Sequence, residues 1–241
     1  MIPIYDDNPA LGKPLIVVTT IVMCVMIWFW QTGLGYQESN EIILSFGLTP
    51  AAFLGNMEQV GPLISFFTLF TSMFLHGGFM HLAGNMLYLW IFGDNIEGAL
   101  GHIRFIIFYL TCGLVAAFAQ IISAPDSTIP MIGASGAVSG VLGAYLIFYP
   151  QARIRTFVFL GIFITFLRLP AILLLGVWIL GQIVSASIAN PGSPGVAWFA
   201  HLGGFFAGMV LGPILKKPNI SIFQKARTKV KEKPIRIRFR K

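Results

Sequence analysis

Charge is scarce in this chain. Asp, Glu, Lys and Arg make up only 10% of its 241 residues, against 56% hydrophobic and 14% aromatic, whereas an average globular domain carries about a quarter charged residues. Too little polar surface exists to coat a water-facing particle, and the mean hydropathy of +0.80 agrees. A soluble fold is excluded. Cysteine is nearly absent as well: Cys24 and Cys112 both sit in apolar runs, which leaves neither a disulfide framework nor a CxxC metal site. Acids are missing altogether between Asp126 and Glu232. Bases look plentiful, with 16 Lys and Arg against 9 acids, but 11 of the 16 crowd into Lys216–Lys241 beside the single acid Glu232. The first 215 residues carry a net charge of −3. The pI of 9.7 therefore describes a tail, and no nucleic-acid surface is implied.

What the chain has in quantity is long apolar runs. A helix crossing a bilayer needs about 20 mostly apolar residues, and the runs near 14–31, 80–99, 104–123, 133–149, 169–188 and 196–215 qualify. The first is too poor in N-terminal cations, and lacks the small-residue cleavage site, to be a removable signal peptide, so it is read as a helix. Leu63–Leu75 and Thr156–Leu167 are shorter and fit interfacial or re-entrant segments better than crossings. The cations set the orientation. With six crossings, Lys13, Arg104, the group Arg153, Arg155 and Arg168, and the tail all fall on one side, while 32–79, 124–132 and 189–195 contain no Lys or Arg. A seventh crossing at Thr156–Leu167 would put Arg168 opposite Arg153 and Arg155. The expectation is an all-α polytopic membrane protein of six transmembrane helices, with both termini cytoplasmic. Residues 1–215 form the membrane domain, its first loop (32–78) partly membrane-embedded. Residues 216–241 form a basic cytoplasmic tail, either attracted to anionic lipid or serving only to anchor the topology.

Polar side chains inside a membrane are costly and point to function. Three helices open with such groups: His76 to Asn85 (HGGFMHLAGN), Gly133 to Gly140 (GASGAVSG) and Trp198 to Gly208 (WFAHLGGFFAG). In the deduced topology all three enter from the outer side, so His81, Asn85, Ser135 and His201 lie within about two turns of that surface. Each has a plainer reading taken alone. Ser135 sits among small residues suited to close helix packing, and a lone His201 is more often a hydrogen-bonded helix contact. Gly204 and Gly208, however, share a helix face with His201, so the face carrying the imidazole is built for close approach to another helix. A serine hydroxyl needs a base such as histidine to become a nucleophile. A tetrahedral intermediate needs donors, which Asn85, His81 and the Ser135 N–H can supply. With no acid after Asp126 until the tail, a Ser135–His201 dyad is expected rather than a triad. His76 and His81 are five apart with no glutamate between them, which does not fit a zinc protease. No metal or organic cofactor is expected. His76 is read as a structural residue of the loop, and His102 as an interfacial one beside Arg104.

With these residues in view, the chain resembles the rhomboid family of intramembrane serine proteases over about residues 1–215. The resemblance rests on HGGFMHLAGNMLYLWIFGDNIEGALG (76–101), GASGAVSGVLG (133–143) and GVAWFAHLGGFFAG (195–208), in the family's order. It implies Ser135 as nucleophile, His201 as base, and His81 with Asn85 as oxyanion donors. It also implies Gly204 and Gly208 as packing glycines, transmembrane helices of single-pass or multi-pass proteins as substrates, and the cell membrane as location. Two positions depart from the pattern of some members: Phe67-Thr68 stands where they carry Trp-Arg, and Ser139 where an aromatic supports the imidazole. A proteolytically dead binder of transmembrane segments, and a small transporter using His201 and His81 as a proton path, are the alternatives. The absence of carboxylates at the membrane centre and of a second polar cluster near the inner side speaks against the transporter.

Overall fold

Proline and glycine punctuate the apolar runs, and the helices follow that punctuation. A computed structural model describes residues 1–57, 61–160, 163–190 and 195–225; the expected basic tail lies outside them from 226 onward. The order is β1 (Ile2–Asp6), α1 (Leu15–Gly33), α2 (Tyr36–Phe46), α3 (Pro50–Phe53), α4 (Pro62–Thr71), α5 (Phe79–Leu100), α6 (His102–Ser123), α7 (Ser135–Phe148), β2 (Arg153–Leu160), β3 (Phe163–Pro170), α8 (Ala171–Ile188) and α9 (Trp198–Leu215). Each of the six expected crossings is a helix: α1, α5, α6, α7, α8 and α9. By length and composition α1, α6, α8 and α9 can cross a membrane. At 14 residues α7 rises only about 21 Å, short of the ~30 Å hydrocarbon core. A single residue, Gly101 with φ +86°, separates α5 from α6; that left-handed backbone is open to glycine at little cost, and it turns the chain without a loop.

Almost every side chain of α7 is buried. It is the central helix, packed on α9 along its length and on α5 and α6 beside it. Leu142, Tyr145 and Phe148 of α7 join Leu89, Phe92 and Ile96 of α5, Phe105 and Phe108 of α6 and Phe205 of α9 in one continuous core.

The all-α expectation needs one addition. β1, β2 and β3 form an antiparallel sheet in which Ile2 faces Phe157 and Arg155 faces Arg168. The short stretch Thr156–Leu167 lies within its hairpin. Residues 153–159 alternate, with Ile154, Thr156 and Val158 buried and Arg153, Arg155 and Phe159 exposed. This period of two, rich in β-branched and aromatic residues, is a strand signal. The other short stretch, Leu63–Leu75, falls mainly on helix α4.

Carboxylates tie this end of the bundle together. Glu97 of α5, 1% exposed, accepts the N–H groups of Ile16 and Val17 at 2.9 Å each and lies 2.5 Å from His102 Nδ1. No side chain of α1's own cap fills that role, so a residue some 80 positions away satisfies its N-terminal donors. Asp6 of β1 accepts the Tyr145 hydroxyl at 2.5 Å and Asn95 Nδ2 at 3.1 Å. Burial pushes the Asp6 carboxyl up to about 7, with the tyrosine hydrogen bond opposing that rise and the neighbouring Asp94 adding to it.

Candidate active site

Helices α7 and α9 meet backbone to backbone. A Cβ on Gly204 would collide with the Gly136 carbonyl, and one on Gly208 with the Gly140 carbonyl. Gly212 in turn lies opposite Ala144, where an added Cβ would be 2.9 Å from the alanine Cβ. The three pairs keep one offset in sequence, so the helices run parallel and in register. Only residues without side chains permit this approach. The register puts Ser135, the first residue of α7, level with Gly203 and within a turn of His201, in the first turn of α9.

The other two candidates come from α5. His81 and Asn85 lie at i and i+4, on one helix face. They sit over Gly133, whose φ of +117° is again left-handed. A Cβ at Gly133 would fall 2.6 Å from His81 Nε2 and 3.6 Å from Asn85 Nδ2, and its N–H is held by the Ser72 carbonyl at 2.8 Å. Asn85 is 7% exposed, and its Nδ2 has no hydrogen-bond partner. A buried amide donor without an acceptor costs roughly 1–3 kcal/mol, so this one is poised for something that arrives. No side chain caps α7, so its first N–H groups, including that of Ser135, lack intrahelical partners at the positive end of the helix dipole.

All four residues line one cavity of about 850 Å³. Ser135 and His201 are half-buried and His81 is exposed. No hydrogen bond joins Ser135 to His201 among the described residues; such bonds are often loose before substrate binds. His76 is fully buried, with Nδ1 3.2 Å from the Phe74 carbonyl and its ring edge-on to His81 at 5.2 Å. His102 is paired with Glu97, far from this cavity.

Sequence reasoning passed over the residues that hold the His201 ring. Its Nδ1 lies 2.7 Å from Gln182 Oε1 on α8. Trp178, one turn earlier on the same helix, lies against the ring at 6.0 Å and 34°, and Trp198 stands edge-on at 6.1 Å. Ser139 does not face the imidazole as an aromatic would; its hydroxyl donates to the Ser135 carbonyl at 2.7 Å. The aromatic support is thus supplied from α8 and α9. A lone amide four residues after a tryptophan in an apolar helix was the available signal.

Comparison with known proteins adds a second line. The Rhomboid domain matches residues 64–218, more than half of the chain. The chain is 32% identical over 201 residues to the rhomboid protease GluP of Bacillus subtilis, covering 83% of this chain and 36% of that protein. It is 32% identical over 223 residues to RHOMBOID-like protein 7 of Arabidopsis thaliana, covering 84% and 65%. It is 31% identical over 156 residues to Rhomboid protein 1, mitochondrial, of Saccharomyces cerevisiae, covering 61% and 41%. The chain spans between about a third and two thirds of the length of these relatives. Sequence motifs, helix order and domain match converge, and the chain belongs to the rhomboid family.

Proposed function

We propose that this protein is an intramembrane serine endopeptidase that cleaves transmembrane segments of membrane proteins near the extracytoplasmic face. The observation that carries the reading is the convergence of Ser135, His201, His81 and Asn85, from three helices, on one roomy cavity with an unpartnered amide donor in its wall. In this reading Ser135 Oγ attacks the scissile carbonyl carbon while His201 accepts its proton. Asn85 Nδ2, His81 and the Ser135 N–H receive the developing oxyanion. His201 then returns the proton to the leaving amine, and water, activated by the same imidazole, hydrolyses the acyl-enzyme. An intact helix hides its carbonyls in i→i+4 bonds, so a substrate must unwind locally to reach the serine. Segments with helix-weakening Gly or Pro near the cut suit this requirement, and the family resemblance implies a small residue before it.

The same reading takes α1, α5, α6, α7, α8 and α9 as six crossings. Residues 1–215 are one membrane unit with the first loop (32–78) partly sunk in the outer leaflet, and 216–241 are a basic cytoplasmic tail. The one-sided cations support both termini inside a cell membrane. The shortness of α7 supports a serine below the outer surface yet within reach of water. In liposomes with a purified transmembrane reporter, the wild type should cleave and take up a fluorophosphonate, and Ser135→Ala should do neither. Cleavage by pure Ser135→Ala protein would overturn the assignment. Asn85→Ala should lower kcat by about 10²–10³-fold.

A further inference from the structure

Gln182 is the one side-chain amide in α8, a helix otherwise built of apolar and small residues with serines near its end. It is 9% exposed, so its amide has few partners to choose from. The structure supplies two. Its Nε2 lies 3.4 Å from the Trp178 carbonyl, and its Oε1 lies 2.7 Å from His201 Nδ1.

These contacts assign the orientation of both groups by donor and acceptor logic. A backbone carbonyl only accepts, so the amide end facing Trp178 is the NH2. Reversing the amide would set two oxygens against each other there. The end facing the imidazole is therefore the carbonyl oxygen, which also only accepts. His201 Nδ1 must carry a proton to satisfy it, since an unprotonated Nδ1 would leave two acceptors 2.7 Å apart. In the neutral ring the lone pair then resides on Nε2. Trp178 constrains the ring plane from one turn earlier on the same helix. One face of α8 thus sets both the tautomer and the orientation of the imidazole.

We propose that Gln182 is a positioning residue of the reaction, holding His201 in the Nδ1–H tautomer so that Nε2 is the nitrogen that takes the Ser135 proton. This rests on the reading that Ser135 and His201 do the chemistry. In triads a carboxylate performs this task. No carboxylate exists between Asp126 and Glu232 to do so here. A neutral amide supplies the acceptor without placing a charge in a low-dielectric wall, and it also remains a partner for Nδ1–H when His201 is an imidazolium. An amide stabilises that cation less than a carboxylate would. Its removal should accordingly cost less than the ~10⁴-fold seen when a triad acid is replaced.

The test compares Gln182→Met, which keeps volume but loses the acceptor, and Gln182→Glu, which keeps an acceptor and adds charge, with wild type and Ser135→Ala. All are purified in the same detergent and assayed on one transmembrane reporter. Gln182→Met should lower kcat by about 10–100-fold with KM within about twofold. Nitrogen NMR of labelled histidine should show the Nδ1–H form of His201 in wild type and a tautomer mixture in this variant. Gln182→Glu should recover most of the rate, with the acid limb of its pH–rate profile moved to higher pH, because a carboxylate favours the imidazolium. Wild-type kcat and tautomer in Gln182→Met, with Ser135→Ala inactive, would overturn the role of Gln182 and leave the protease reading intact. Cleavage by Ser135→Ala would instead overturn that reading. If Gln182→Met fails to fold, Gln182→Glu decides: an unshifted pH–rate profile in the folded variant overturns the proposal, and a shifted one supports it.

Discussion

Gly208→Ala adds one methyl group at the closest approach between α7 and α9. The new carbon would fall on the Gly140 carbonyl oxygen, a backbone atom that no rotamer can move aside. Carbon and oxygen settle no closer than about 3.3 Å, so the helices must separate locally by on the order of an ångström. Two opposing magnitudes decide the sign. Alanine is favoured over glycine in a helix by about 1 kcal/mol, whereas overpacking a tight contact costs about 1–3 kcal/mol. Gly176→Ala in α8 isolates the first effect, because nothing lies within 4 Å of a Cβ there. Gly208→Ala should therefore be less stable than Gly176→Ala by about 1–3 kcal/mol, lowering Tm by roughly 2–10 °C relative to it. The larger effect should be on rate. Register at this contact sets His201 within a turn of Ser135, and if the two react as proposed, a misplacement of about 1 Å can cost ~10²-fold. Thermal melts in detergent and cleavage of a transmembrane reporter measure the two effects separately. A Gly208→Ala protein as stable and as fast as Gly176→Ala would refute the claim that backbone contact sets the site.

Glu97→Ala removes the acceptor of the Ile16 and Val17 amides and the partner of His102. Leaving these buried N–H donors without their acceptor should cost about 1–3 kcal/mol, read by denaturant titration, and a loss below about 1 kcal/mol would contradict the capping role. Burial holds the Asp6 carboxyl at about 7, above its ordinary value of 3.8. The folded state therefore binds a proton that the unfolded state has released. Stability should be highest at low pH on this account and should fall as pH rises from about 4 to about 7, then level off. Asp6→Asn should flatten that slope and, at pH 8, stabilise the protein by an order of 2–4 kcal/mol. A wild-type stability that rises over this interval, in step with the variant, would exclude Asp6 as its source.

Much of this was legible in the chain. The six long apolar runs are plain in the sequence, and each is a helix within a few residues of the boundaries read there. Ser135, His81, Asn85 and His201 stood out because polar groups at membrane depth are few, and the cavity gathers all four. Three features escaped for physical reasons. The sheet was hidden because Thr156–Leu167 was judged on length, although Arg153 to Phe159 alternates with the period of a strand. Glu97 caps α1 across some 80 residues, and no local pattern announces such a partner. Gln182 carries no charge and sits in an apolar helix, so nothing in its surroundings marks it as a partner for an imidazole, although an amide oxygen meets the geometric need of an acid.

The sheet also anchors one end of α8. Ala171 and Ile172 donate to the carbonyls of Ala152 and Pro150 at 2.8 and 2.9 Å, and β3 runs straight into Pro170, so α8 is stitched to the sheet at its first turn. A pivot of about 20° at that first turn would carry the far end of this 18-residue helix about 9 Å, close to the width of a helix. The same swing would move Gln182, about 17 Å along the lever, some 6 Å from the ring it holds. Any parting of the bundle along α8 wide enough to admit a guest helix would thus loosen the grip on His201, and closing behind the guest would restore it.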